Sequence, residues 1–270
     1  MQVSYAVRKV FLPYFRAESQ FIRMMCSQRV FSNGDFPPKQ FRVSVDGNIA
    51  SGKSSVLNIF KRYPGTITIQ EPVEVWRNVS GHNLLELLYE DLSGRNFLFE
   101  NYVQLCRLGL QAHKNSFEVQ VIERSLQNNR FVFIEEAYKD NLLTGPEYAV
   151  LCKYYEWMTS NMDISLDLIV YLQCSPEVAY KRMINRGRSE EKYRIPLDYM
   201  QKVHGAYEKW LIEQKLQQGM PPVLVINAEK SLAEIEDECE RILPVLLGKQ
   251  ILNKPLITMD MAIQEVEGYS

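Results

Sequence analysis

The chain has little of what marks a metalloprotein, a disulfide scaffold or a membrane protein. Its three histidines, His82, His113 and His204, are scattered and show no zinc spacing. Its five cysteines, Cys26, Cys106, Cys152, Cys174 and Cys239, are odd in number and include no C-x-x-C pair. That pattern points to reduced thiols in an intracellular compartment and excludes a disulfide framework. No stretch approaches the roughly 18 consecutive apolar residues of a membrane span. The net charge is −2, so the chain carries no overall basic field of the kind that draws a nucleic acid. No internal repeat and no low-complexity tract interrupts it.

What is present is an ordinary globular composition, 46% hydrophobic and 24% charged over 270 residues, enough for one large α/β domain or two small ones. Charge is uneven at one place. Residues 1–32 hold Arg8, Lys9, Arg16, Arg23 and Arg29 against the single acid Glu18. Arginine-rich, acid-poor sequence with interleaved serine fits a mitochondrial transit peptide; the alternative is a plain basic tail on a cytoplasmic protein. GDFPPK (34–39) reads as the linker that follows. The expected organisation is a basic segment over 1–36, a catalytic domain over 37–248 and a tail over 249–270.

Within the domain, short β-rich runs alternate with longer helical patterns. The strand candidates are FRVSV (41–45), TITIQ (66–70), VQVIE (119–123), DLIVYL (167–172) and PVLVIN (222–227). Helices are expected over Lys53–Arg62, Asn83–Asp91, Asn96–His113, Glu147–Asn161, Pro176–Arg186 and Leu197–Gln214. Ser175 can cap the fifth of these, with Pro176 at its first position. Strands separated by helices imply parallel pairing through right-handed crossovers. The expected fold class is therefore α/β: a five-stranded parallel sheet with helices on both faces and a ligand at the carboxyl ends of the strands. A further helical pattern, 231–247, is expected to pack on the sheet, and the residues beyond it read as a partly ordered tail.

The first stretch that carries chemistry is GNIASGKS, Gly47 to Ser54, between a predicted strand and a predicted helix. It matches G-x-x-x-x-G-K-[ST] in full and in the context the motif requires. Gly47 and Gly52 permit backbone angles that turn amide N–H groups toward phosphate oxygens. The loop residues Asn48, Ile49, Ala50 and Ser51 lie between them, and Ser55 follows in the helix, whose N-terminal dipole favours an anion. Lys53 can reach the β- and γ-phosphates, and Ser54 can bind Mg²⁺. ATP and Mg²⁺ are the cofactors this loop implies.

Many phosphate-loop proteins only hydrolyse their nucleotide, so the acceptor must be read elsewhere. Glu71, in QEPVEVW after the second strand, is placed to take a proton from an attacking hydroxyl. Read alone, it is a surface acid before a turn proline. Glu123 and Arg124, at the end of the third strand, can hold Mg²⁺ and the charge on a transferred phosphoryl group, or can form a structural ion pair beneath the loop. RMINRGRSEE sets Arg182, Arg186 and Arg188 ahead of Glu190 and Glu191. Such arginines can close over phosphates and exclude water, or can pair along a solvated helix end.

Together these stretches resemble the deoxyribonucleoside kinase family, with its thymidine-type branch nearest. The resemblance runs from about Phe41 to about Ala228 through GNIASGKS, EPVEVWRNV, LLELLYED, FENYVQL, ERS, NRGRSEE, IPLDYM and WLI. It implies transfer of the ATP γ-phosphoryl group to the 5′-hydroxyl of a deoxyribonucleoside by a homodimer that binds neither nucleic acid nor membrane. It also implies residue roles. Glu71 corresponds to the general base, Arg124 to the arginine near the 5′-oxygen, and Glu123 to the Mg²⁺-associated acid. Tyr89 and Glu191 correspond to the pair that holds the sugar 3′-hydroxyl, and Arg186 and Arg188 to the lid. Trp76, Val103 and Phe133 correspond to the base pocket.

Three positions depart from the family pattern. Glu100 stands where the family has a base-pairing glutamine. Glutamine both donates and accepts, whereas an ionised glutamate only accepts. Thymine would lose a donor to its carbonyl. Arg107 stands where thymidine-type members have an apolar residue and members acting on deoxycytidine or deoxyguanosine have arginine. Asn129 stands where the former have a small residue and the latter aspartate. Glu100, Gln104 and Arg107 share one helix face, so Glu100 can pair with Arg107, or can accept from an amino-bearing base. The expectation is that thymidine is disfavoured relative to cytosine or guanine nucleosides. Two other readings stand beside this one. A nucleoside-monophosphate kinase would need a further arginine cluster for the acceptor phosphate. A non-catalytic nucleotide-binding subunit would have no need of Lys53, Ser54, Glu71, Glu123 and Arg124 together.

Overall fold

The computed structural model describes residues 39–113, 115–188, 191, 194–213, 220–252 and 254–268. The basic segment 1–36 lies outside them. The first strand, β1 (Phe41–Gly47), enters the phosphate loop, and α1 (Lys53–Phe60) leaves it. After β2 (Thr66–Ile69) come two short helices, α2 (Val73–Arg77) and α3 (Leu84–Glu90), and then the long α4 (Leu92–Gln111). β3 (Val119–Glu123) leads into α5, which begins as Leu126–Asn128, widens to π-helix over Asn129–Ile134 and closes as Glu135–Lys139. α6 (Gly145–Asn161), β4 (Leu168–Gln173), α7 (Pro176–Arg186) and α8 (Leu197–Tyr207, continued by a π turn over Glu208–Glu213) follow.

All strands pair in parallel in the order β2-β3-β1-β4-β5-β6, with β5 at Val223–Asn227. The five predicted strands are present. The sheet has six, however, because β6 (Leu256–Thr258) adds at the edge of β5. A three-residue strand offers too short an alternation to show in sequence. It is held by Ile257 and by Met259, Ala262 and Ile263 of α11 (Met259–Glu267), all buried. The residues read as a loose tail thus extend the sheet. The preceding helical pattern divides into α9 (Leu232–Arg241) and α10 (Leu243–Leu246), because Pro244 has no N–H to continue the first helix.

The four inner strands β1, β3, β4 and β5 bury both faces, as parallel sheets do, while the edge strands β2 and β6 are partly exposed. Val43, Val45, Val121, Val170 and Leu224 face α1, α7, α9 and α11, while Ile122, Ile169, Tyr171 and Val225 face α5 and α8. The central position of β1, with β3 on one side and β4 on the other, opens a crevice at its carboxyl end. Gly47, Glu71 and Glu123 all fall at this edge, at or just beyond the ends of β1, β2 and β3.

Candidate active site

The phosphate loop owes its shape to backbone angles that side chains resist. Gly47, Ala50 and Gly52 have φ of 149°, 58° and 103°. A Cβ on Gly47 would lie 2.8 Å from the Leu172 carbonyl oxygen, so the close pass of the loop over β4 requires glycine there. Asn48 ties the loop to α8 by donating from Nδ2 to the Met200 carbonyl at 2.8 Å. No side chain caps the first turn of α1, which leaves its N–H groups for an anion. Lys53 is buried and donates to the Gly47 and Asn48 carbonyls at 3.2 and 2.8 Å. Burial, aided by the Arg124 charge, lowers its pKa to about 7. An anion beside Nζ would supply the opposite charge that restores the ammonium. Beneath the loop, Asp46 is fully buried on Ser44 Oγ at 2.5 Å, and its pKa is raised by burial to about 6.

Facing the loop is a buried charge cluster. Glu71 Oε2 accepts from Arg124 Nη1 at 2.7 Å, and its Oε1 accepts from Arg107 Nη2 at 2.8 Å. Burial alone would raise the pKa of Glu71, but the two guanidiniums outweigh it and hold the carboxyl well below the usual range. Arg124 occupies a left-handed backbone conformation, φ 60°, at the end of β3, a strain that aims its side chain into the crevice. Its guanidinium and that of Arg107 lie 5.0 and 5.6 Å from the centre of the Phe133 ring. Beside Arg124, Glu123 Oε2 accepts from Ser54 Oγ at 3.1 Å.

These groups line one cavity of about 460 Å³, together with Tyr89, Trp76, Val103, Glu100 and Asn129. Its far end is apolar: Trp76 meets Phe99 edge-on at 5.6 Å, within a cluster that includes Leu85, Leu88 and Val103. Among the sequence-predicted residues, Gly47, Asn48, Ser51, Gly52 and Ser55 shape the loop and do not line the cavity. Arg186 and Arg188 both lie at the mouth and both reach Glu191, Arg188 Nη1 at 3.2 Å from Oε1. Glu191 therefore pairs with both arginines, and Tyr89 lines the same cavity. Arg182 does not line the cavity and donates to the Ala228 carbonyl at 2.7 Å.

The pairing of Glu100 with Arg107, one of the two alternatives drawn from their shared helix face, is not the one formed. Arg107 is spent on Glu71, on the Ser125 carbonyl at 3.1 Å and on Asn128 Oδ1 at 2.7 Å. Glu100 instead accepts from Asn129 Nδ2. Burial pushes the Glu100 carboxyl up to about 7, against the nearby Arg107 charge.

Sequence reasoning missed several lining residues, among them Asn96, Arg194, Tyr199 and the ion pair of Lys202 with Asp140 at 2.8 Å. Asn96 lies one turn before Glu100 on α4 and was legible from that spacing. Tyr199 sits inside IPLDYM, but nothing in its spacing distinguishes it from a core tyrosine.

The deoxynucleoside kinase family model matches residues 43–250 of this chain. Mitochondrial thymidine kinase 2 of Homo sapiens is 40% identical over 209 residues, covering 76% of this chain and 78% of its own length. A probable deoxycytidine kinase of fowlpox virus is 34% identical over 213 residues, covering 77% and 88%. Deoxycytidine kinase of Homo sapiens is 30% identical over 223 residues, covering 72% and 85%.

Proposed function

The chain belongs to the deoxynucleoside kinase family and is an ATP-dependent phosphotransferase; from that premise we propose how its residues divide the work. The observation that carries the reading is the convergence of Lys53, Glu71 and Arg124 on one cavity whose far end is apolar. Phosphoryl transfer needs in-line positioning and charge neutralisation more than covalent chemistry. The α1 N-terminus and Lys53 hold the ATP phosphates. Glu71 takes the proton of the nucleoside 5′-hydroxyl as its oxygen attacks the γ-phosphorus, and the bond to the β-phosphate oxygen breaks to release ADP. Arg124, already on Glu71, holds that carboxylate in place and faces the charge that spreads over the transferring group. Arg186 and Arg188 close the mouth, and Tyr89 and Glu191 take the sugar 3′-hydroxyl, so that Glu191 serves both lid and sugar.

Mg²⁺ fits the donors present. Ser54 Oγ and Glu123 Oε2 are hard oxygens 3.1 Å apart. Among the described residues no group of three or more His, Cys, Asp or Glu could hold a metal unaided. Ser54 and Glu123 would hold the ion, and it would supply neutralisation of the phosphate charge.

The test is a phosphorylation assay of the full chain with Mg·ATP and each natural deoxynucleoside. The expected result is a 5′-monophosphate that forms only when a nucleoside is added. ATP binding without turnover of any nucleoside would favour the non-catalytic reading.

The pairing state follows from surface apolarity. Leu98 and Leu105 on α4, one heptad apart, and Val150, Tyr154 and Trp157 on α6 are all exposed, Trp157 by 58%. The two helices pack against each other, Gln104 donating to the Leu151 carbonyl at 3.1 Å, and exposed apolar side chains on neighbouring helices suit an interface. We assign it to a homodimer. Trp157→Glu is expected to convert the dimer to monomer in sedimentation analysis; a wild-type chain that sediments as a monomer sinks the assignment. The acid-poor segment 1–36 and the mitochondrial relative support a mitochondrial address, tested by whether isolated mitochondria import the full chain and shorten it.

A further inference from the structure

The two guanidiniums that hold Glu71 are themselves held on their other edges. Arg107 gives Nη2 to Glu71 Oε1, and Nη1 to Asn128 Oδ1 at 2.7 Å and to the Ser125 carbonyl at 3.1 Å. Asn128 Nδ2 donates in turn to the Tyr207 hydroxyl oxygen at 2.6 Å. Burial raises the Tyr207 pKa, and the Arg124 guanidinium that its hydroxyl faces works against that rise. Arg124 gives Nη1 to Glu71 Oε2. The contacts close a ring from Glu71 through Arg107, Asn128, Tyr207 and Arg124 back to Glu71.

Asn128 and Tyr207 are fully buried and neither lines the cavity, so both act only through the groups they hold. Their own places are fixed. Ser125 caps the first turn of α5 by accepting from the Asn128 N–H at 3.1 Å. Tyr207 ends α8 and stacks on Tyr171 of β4, with 5.5 Å between ring centres and 19° between planes. The Asn128 amide has one workable orientation. A guanidinium only donates, so turning the amide would set its NH₂ against Arg107. A guanidinium bonded along one edge still swings about that edge, whereas one bonded along two is fixed in plane and distance. Arg124 needs such support. Its φ of 60° is a strained conformation that persists only where the surroundings over-determine it.

We propose that Asn128 and Tyr207 are positioning residues for phosphoryl transfer: they clamp Arg107 and Arg124 to each other and thereby hold the Glu71 carboxylate where the attacking hydroxyl arrives. This rests on the reading of Glu71 as general base and adds the parts that fix it. Glu71 follows the edge strand β2, which is partly exposed, and its two carboxylate oxygens are held by residues of α4 and of the end of β3. The clamp joins those two elements to α5 and α8, so the base takes its position from buried parts of the molecule. The precision matters, because a misplacement of about 1 Å in a reacting group costs up to about 10²-fold in rate. A buried asparagine and tyrosine that only satisfied each other in the core would leave the rate untouched once the protein had folded.

The test measures kcat and the KM for ATP of the full chain carrying Asn128→Ala or Tyr207→Phe, each alone and combined with Glu71→Gln, with a melting curve to show that each variant is folded. Asn128→Ala is expected to lower kcat by about 10–10²-fold and to change the KM for ATP by less than about twofold, as when an interaction that serves the transition state alone is lost. Tyr207→Phe removes only the hydroxyl and is expected to lower kcat by at least about threefold, again with little change in KM. In the Glu71→Gln background both effects are expected to shrink below about twofold, because groups that act as a unit are not additive and the carboxylate they position is gone. The same factor with and without Glu71, an effect confined to KM, or no effect in folded protein would each overturn the proposal. If Asn128→Ala does not fold, Tyr207→Phe decides alone. If the wild type turns over no nucleoside, or if Glu71→Gln alone keeps kcat within about threefold of the wild type, the reading of Glu71 as the base has failed on its own and the proposal falls with it.

Discussion

Glu71→Gln is expected to lower kcat by about 10²–10⁴-fold, the usual contribution of a positioned general base, while ATP still binds. The size follows from what the carboxylate does in the cluster. Among the described residues it is the only acid in contact with both Arg107 and Arg124, at 2.8 and 2.7 Å. The two guanidiniums hold its pKa below the usual range, so it is ionised at any pH where the protein works. Its affinity for a proton in the ground state is weak. A weak base suffices where the attacking hydroxyl becomes acidic late in the reaction, which suits a loose transition state. The substitution also disturbs the fold, because two buried guanidiniums then share one amide oxygen, and an unpaired buried charge costs about 3–5 kcal/mol. A melting curve and an ATP titration must therefore accompany the kinetics. Loss of kcat in protein that melts cooperatively and binds ATP with wild-type affinity supports the base. Retention of kcat within about threefold removes Glu71 from that role, since a general base contributes at least about 10²-fold.

The distribution of legible and illegible features around this cluster has a physical pattern. The phosphate loop was readable because its chemistry is done by backbone, and only glycine, lysine and serine at fixed spacing permit it; the observed φ angles at Gly47 and Gly52 are those the motif demands. The five predicted strands were readable from β-branched and apolar enrichment over four to seven residues. β6 was not, being three residues held by a helix that follows it. The π-helical stretch of α5 was also invisible. NRFVFI reads as a β-rich run by composition, yet it forms the helical wall that carries Asn129 and Phe133, a case of tertiary packing overriding local propensity. The partner of Arg107 could not be read either. Its spacing from Glu100 along α4 permits a pair, but the choice between Glu100 and Glu71 depends on where β2 ends relative to α4, which one helix face does not encode.

Glu100→Gln is expected to raise stability at pH 8 by about 3 kcal/mol and to leave it nearly unchanged at pH 5. The sign comes from linkage. The Glu100 carboxyl has an ordinary value of 4.5 and is raised by burial to about 7 in the fold. A raised acid contributes stability that is present in full below about 4.5 and is lost as pH climbs through about 7. Above that, the fold carries a buried carboxylate, and a difference of about 2.5 pKa units corresponds to about 3 kcal/mol. The amide of the substituted side chain does not titrate and can still accept from Asn129 Nδ2. Asp46, raised to about 6, and Glu71, held low, titrate in both proteins and cancel in the comparison. For a domain of this size, each kcal/mol is worth about 2–4 °C, so calorimetry at pH 8 should place the variant about 6–12 °C above the wild type, with the two converging at pH 5. Superimposed melts at both values would mean that Glu100 reaches solvent and that its burial does not govern its charge. The expected gap has a functional meaning. A carboxylate kept buried in the wall of the cavity at this cost lies off the stability optimum, as residues under a functional constraint do.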